Sequence, residues 1–347
     1  MVDRISTSGA LLNDITLLQR NTVTLNQLQY RVGTGRKFAE LKLYGNDAPR
    51  IVDLRAEISS REAYIRSINL AEGITRSYDA VLDRLAEVAG EIIDASEPIS
   101  PDDPSYLTDT TVVANNLMLE IEANLNVRIG DRYIFAGTRF DSAPVNDLRT
   151  LALYTANDLA PNPVTTNAIE TANTVPQMVV DQAGANTTQS YHTSFAGANT
   201  VDAEAWRTTS LTISDQQRLD YGITATNSAF QNLVEAVVRL KSATDKNATL
   251  TVAQRETLLG NARSAAEQAR VELRQLQSSN GAVINQFNTM TTQHENFIAI
   301  SQSALDDIEG ADTAQAAVEI SALQTQIQAS FTTIARRAQL SLVSFLN

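Results

Sequence analysis

Residues 314–347 read AQAAVEISALQTQIQASFTTIARRAQLSLVSFLN, and this stretch decides the fold class. Its apolar residues recur at Ile320, Leu323, Ile327, Phe331, Ile334, Leu342 and Phe345, with Ala338 as a weak step. Steps of three and four residues place them on one helix face, and the repeat averages near the coiled-coil period. The opposite end of the chain carries the same pattern. Leu11, Ile15, Leu18, Leu25, Leu28 and Val32 follow at helical spacing, with Thr22 filling one step. Apolar stripes at both ends of a chain require burial. Their natural partners are each other and further copies of themselves.

Working inward from the C-terminal stripe, Gly310 separates it from a very long helix predicted over 251–308. The second half of that helix carries a seam of Ile284, Phe287, Thr291, His294, Ile298, Ser301, Leu305 and Ile308. A further stripe, Phe230, Leu233, Val237 and Leu240, predicts a helix from about Ser228. From the other end, a helix is predicted over 8–32, with Ser6 or Ser8 as its cap and Gly33-Thr34-Gly35 as its break. After an irregular link over 36–46, Ile51, Leu54, Ile58, Ile65 and Ile68 open a long helical region. Tyr78, Leu82, Leu85, Ala89 and Ile92 continue it to Glu97-Pro98. A third helix passes through Val113, Leu117, Ile121 and Leu125.

Composition shifts over 140–222, where Thr, Asn, Ala, Asp and Pro dominate and helical periodicity fades. Short β-compatible runs occur at 151–154, at Val179-Val180 and at 209–213, and Leu219, Tyr221 and Ile223 alternate. Trp206, the only Trp, is the expected core anchor of this insert. The expected fold is mainly α with a β-rich insert. Helices from both termini form an elongated antiparallel rod or coiled coil, with the small β domain at the far end. The expected division is an assembly helix over 1–40, rod helices over 41–139, the β-rich surface insert over 140–222, rod helices over 223–309 and a second assembly helix over 310–347. The end helices are expected to be poorly ordered alone and helical in an assembly.

Composition excludes several function classes. The formal net charge of −13 argues against general phosphate-backbone binding. With no cysteine, disulfides, thiolate metal sites and cysteine nucleophiles are excluded. No stretch is apolar and long enough to span a bilayer, and the N-terminus shows no cleavable secretory signal. His294 falls on the helical seam and His192 in the insert, and no HExxH is present. Gly33-Thr34-Gly35-Arg36-Lys37 lacks the spacing and the Ser or Thr of a phosphate loop, so it reads as a helix break. Asp102-Asp103 and Asp306-Asp307 sit in no EF-hand pattern. No catalytic, cofactor or metal residue is therefore expected.

Charge is scarce at the ends. Between Ile5 and Tyr30 only Asp14 and Arg20 are charged, and from Thr313 onward only Glu319, Arg336 and Arg337. Neutral outer faces suit packing on several sides. The expected assembly interface is Leu11, Ile15, Leu18, Leu25, Leu28, Ile320, Leu323, Ile327, Phe331, Ile334, Leu342 and Phe345.

Local motifs then point to a family. Arg4-Ile5-Ser6-Thr7, the heptad helix, and the run from Tyr30 to Lys37 resemble the N-terminal region of bacterial flagellins and hook-filament junction proteins. The stretch 314–346, with its Ser341-Leu342-Val343-Ser344-Phe345-Leu346 ending, is similar to their C-terminal helix. Asp131-Arg132-Tyr133-Ile134-Phe135-Ala136-Gly137-Thr138, and the run from Ile213 to Ala225, resemble the insert borders of the junction branch. The segment 38–43 departs from the family pattern. The resemblance implies a structural, non-enzymatic subunit joining hook to filament, exported unfolded with an uncleaved N-terminus and located outside the cell. It implies partners among copies of itself, a neighbouring hook-associated protein, flagellin and an export chaperone, and no nucleic acid or membrane insertion. A filament flagellin and a coiled-coil surface adhesin are the alternatives.

Overall fold

Among the described residues the helices are α1 (Val2–Thr34), α2 (Ala48–Ala95), α3 (Pro104–Leu125), α4 (Ser228–Thr244), α5 (Val252–Glu309) and α6 (Thr313–Leu346). Antiparallel hairpins among the described residues accompany them: β1 (Arg128–Ile129) with β2 (Arg132–Tyr133), β3 (Met178–Gln182) with β4 (Ala185–Gln189), and β5 (Ser210–Ser214) with β6 (Gln217–Asp220). This computed structural model describes residues 2–98, 100–145, 147–151, 153, 178–182, 185–189 and 207–346. Trp206 and His192 lie outside the described residues, as do Ala152 and Tyr154 of the run expected to form a strand. The mainly helical fold with a β-bearing insert is as expected from the sequence.

Element boundaries follow local chemistry. Gly35 takes a left-handed φ of 69° just after α1, where a side chain would be strained. Asp103 caps α3, accepting the N–H groups of Ser105 at 2.7 Å and Tyr106 at 3.2 Å, with Pro104 in the first turn. Asn227 caps α4 through the Ala229 N–H at 3.0 Å. Asp312 accepts the Gln315 N–H at 2.8 Å as α6 begins. Helix α1 begins at Val2, ahead of both expected Ser caps. Leu151 follows a short 3-10 turn, Leu148–Thr150, rather than opening a strand. Hairpin β1–β2 precedes the residue at which the insert was expected to begin. Gly130, with φ 64°, makes its turn.

The chain forms two compact units, Met1–Ala63 with His294–Asn347, and Tyr64–Gln293. The second holds the main core. Tyr78, Leu82, Leu85 and Ile92 of α2 meet Leu117, Met118 and Ile121 of α3, the apolar face of α4, and Leu258, Ala262 and Leu273 of α5. Phe135 joins Tyr78 and Phe230 in a chain of aromatic contacts, with ring centroids 5.1 and 5.5 Å apart. The Tyr78 hydroxyl donates to the Ile134 carbonyl at 2.7 Å, and the Ala225 N–H donates to the Phe135 carbonyl at 2.9 Å. The two insert-border motifs are thus tied to one another in the core. Hairpin β5–β6 packs on the same unit through Ile213, which meets Ile68, Ala71, Phe287 and Met290. Gly222 is required beside it, since a Cβ there would stand 2.3 Å from the Thr209 nitrogen.

Candidate assembly surface

The first unit brings the chain ends together. Helices α1 and α6 pack against each other. The Ala311 N–H donates to the Gly35 carbonyl at 2.8 Å, joining the end of α1 to the start of α6. Two packed helices joined in that way run in opposite directions.

The α1 face toward the pair is Leu18, Asn21, Leu25 and Leu28, with Asp14 one step earlier. Leu28 is buried and Leu18 and Leu25 are half-buried. The facing stripe of α6 is Ala316, which is buried, followed by half-buried Ile320, Leu323, Ile327, Ser330 and Ile334. Ile15 and Phe331, both expected at the interface, are 38% and 56% exposed. The side chains of Leu11, Leu342 and Phe345 lie outside the described residues, though their backbone is helical.

The expected seam step at Thr22 falls instead on Asn21. Thr22 faces outward, and its hydroxyl donates to the Leu18 carbonyl at 2.9 Å. Asn21 is 9% exposed, and its Nδ2 finds no acceptor among the described residues. A pattern search on apolar residues passes over an asparagine. The true heptad steps, 14, 18, 21, 25 and 28, carry the signal that would have found it.

The outward faces are more apolar than their composition suggests. On α1, Leu12 is 63% and Val23 56% exposed, on the side opposite Leu25 and Leu28. On α6, Val318 is 71% exposed, opposite Leu323. The hydroxyls between them are satisfied within their own helices. Thr16, Thr22, Thr24 and Thr34 each donate to the carbonyl four residues back. Ser321, Thr325, Thr332 and Thr333 do the same in α6. A hydroxyl already bonded to its own helix can be covered by another chain without leaving a donor unpaired. The threonines of these surfaces therefore present their methyl groups.

The turn after α1 is pinned to the end of α5. The Lys37 N–H donates to the Glu309 carbonyl at 2.7 Å, and Arg36 pairs with Gly310 as an antiparallel bridge. The Lys37 ammonium donates to the Ile308 carbonyl at 2.8 Å and the Asp307 carbonyl at 3.3 Å, a favourable place for a cation at a helix C-terminus. Phe38, which opens the departing segment 38–43, and Tyr44 just beyond it stack edge to face with centroids 5.2 Å apart. A cavity of about 290 Å³ opens here among Arg31, Lys37, Phe38, Asp312, Gln315 and Glu319.

His294 is buried on the α5 seam, as its spacing predicts. Among the described residues no group of His, Asp and Glu is placed to hold a metal ion, and no helix is long and apolar enough to cross a membrane.

Residues 263–346 match the bacterial flagellin C-terminal helical region. That match takes in most of α5, the Gly310 turn and α6, and so includes one of the two helices of the α1–α6 pair. A solved chain from Vibrio parahaemolyticus, provisionally named as a flagellar hook-associated protein, shares the fold with a TM-score of 0.51. It is 12% identical, and the likeness covers 76% of this chain and 97% of that one. No curated protein matches the chain.

Proposed function

We propose that this protein is a non-enzymatic structural subunit of the bacterial flagellum, located outside the cell, which joins hook to filament. The observation that carries the reading is the antiparallel α1–α6 pair. Its two ends lie together, one face is only half covered, and the outer faces present Leu12, Val23, Val318 and Phe331 beside internally bonded hydroxyls. A folded chain acting alone has little use for so much open apolar helix. Copies of itself are the partners that fit first. A neighbouring hook-associated protein and flagellin would flank it, and an export chaperone would cover the ends before assembly. The flagellin-type C-terminal match supports a flagellar subunit. The segment Tyr133 to Thr138 favours the junction role over a filament flagellin, although its Phe135 also has a packing duty.

Deleting residues 320–347 should leave a soluble chain that cannot assemble. Electron microscopy of a strain carrying only that form should show hooks without filaments, and attached filaments would refute the reading. Leu323→Asp should behave alike by placing a charge in the seam. Seeded growth separates the two flagellar roles. Arrest after a short zone marks a junction subunit, and extended filaments mark a flagellin. For the adhesin alternative, removal of residues 146–208 would abolish adhesion while assembly persists.

A further inference from the structure

Glu309 has a role that neither the seam nor the resemblance assigns. Its side chain is buried at the last residue of α5. Its carboxylate takes two guanidinium groups from different parts of the chain. Arg55 of α2 reaches it through Nη2 at 2.5 Å, and Arg36 of the turn after α1 through Nε at 3.4 Å. Its main-chain carbonyl accepts the Lys37 N–H. Next to it, Gly310 bridges Arg36 and allows the turn to close, since a Cβ there would stand 2.4 Å from the Asp306 carbonyl oxygen. Arg31 closes the other side, donating from Nε to the Lys37 carbonyl at 3.0 Å. One buried carboxylate thus touches α2, the end of α5 and the turn from which α1 departs, and α6 starts three residues beyond the bridged glycine.

We propose that Glu309 is a positioning residue that sets the direction in which the α1–α6 pair leaves the end of α5. The proposal rests on the assembly role of that pair. A helical pair that packs on several copies must leave its own body at a fixed angle in each copy. Apolar seams slide with little penalty, whereas a buried carboxylate with two fixed donors has one good geometry. Arg36 and Arg55 are each about half exposed, so each guanidinium could turn to solvent if the carboxylate were lost. Without Glu309 the pair would remain helical but would swing.

The test uses the full-length chain with Glu309→Gln, Arg55→Met, both together, and the swapped variant Arg55→Glu/Glu309→Arg. Amide hydrogen exchange in the free chain is read at Lys37 and Ala311, whose N–H groups close the turn. Glu309→Gln should speed both by at least tenfold, while α3 and α4 exchange as before. Arg55→Met should add little on top of it, and the swapped variant should recover most of the protection. Capping of hooks by the same variants should fall and recover in step. Unchanged exchange, additive single effects, or a swap with no recovery would overturn the clasp. A loosened turn with normal hook capping would overturn its positioning role and leave the assembly reading standing. Failure of the wild-type chain to cap hooks would instead refute the assembly reading.

Discussion

Helices α4 and α6 are both rich in apolar residues, yet the chain treats them differently. In α4, Leu233, Val234, Ala236, Val237, Val238 and Leu240 are all fully buried, and even Glu235 and Arg239 are covered. In α6, Ala316 is buried, the seam from Ile320 to Ile334 is half covered, and Val318 and Phe331 stand open. A helix apolar on nearly all sides is normally enclosed. For α4 this chain supplies the enclosure, whereas for α6 the packing it supplies among the described residues is mainly from α1. The difference separates a region that is finished on folding from one that is finished on meeting another chain.

The largest expected contrast comes from truncating one aromatic in each region. Phe230→Ala should cost about 3–5 kcal/mol of stability, because it empties the centre of the Tyr78–Phe135–Phe230 chain. Phe331→Ala should change the stability of the free chain by less than about 0.5 kcal/mol and still weaken assembly. Denaturant titration paired with a hook-capping assay reads both, and equal destabilisation by the two changes would erase the contrast.

The hairpin provides the next. Gly222→Ala forces a Cβ into the Thr209 backbone and should cost about 1–3 kcal/mol, read as a lowered melting midpoint with faster exchange across β5–β6. A melting midpoint equal to that of the wild type would show that the close approach is not needed.

A pH dependence distinguishes the enclosed region. Glu235 and Arg239 pair inside α4 with N–O distances of 2.7 and 2.8 Å. Burial pushes the Glu235 carboxyl above its usual range, and the Arg239 charge only partly opposes this. The folded chain then holds that proton more readily than the unfolded one. The contribution favours folding below the ordinary glutamate range and is lost as pH rises through the folded value. Glu235→Gln should flatten this part of the stability–pH curve. An unchanged slope would assign it to other groups.

Asn21 gives the smallest effect and the opposite sign. Removing a buried amide donor that lacks an acceptor among the described residues, as in Asn21→Leu, should stabilise the α1–α6 pair by about 1 kcal/mol. Slower exchange along α1 would register it, and faster exchange would mean that the amide is satisfied by water.

Much of the fold was legible because its punctuation is local. Gly35 stops α1, and the apolar period carries α5 from Val252 to Glu309, within a residue of its expected limits at both ends. The seam through Phe287, His294, Ser301 and Leu305 also stands where its spacing placed it. What escaped depended on partners distant in sequence. Nothing near Lys37 announces that its backbone meets Glu309, because those bonds run between main-chain atoms of any residue type. Asn21 was passed over because polarity hid a heptad position. The border motif around Phe135 signalled a family resemblance before its packing against Tyr78 and Phe230 could be seen.

The contrast between the finished core and the open ends is tested most directly by amide hydrogen exchange on the full-length chain, free and bound to isolated hooks. The amides of α3 and α4 should exchange slowly in both states. Those of α1 and α6 should exchange rapidly in the free chain and become at least a hundredfold slower on the hook, about 2.7 kcal/mol of added protection. End helices as protected as α4 in the free chain, with no further slowing on the hook, would contradict the account.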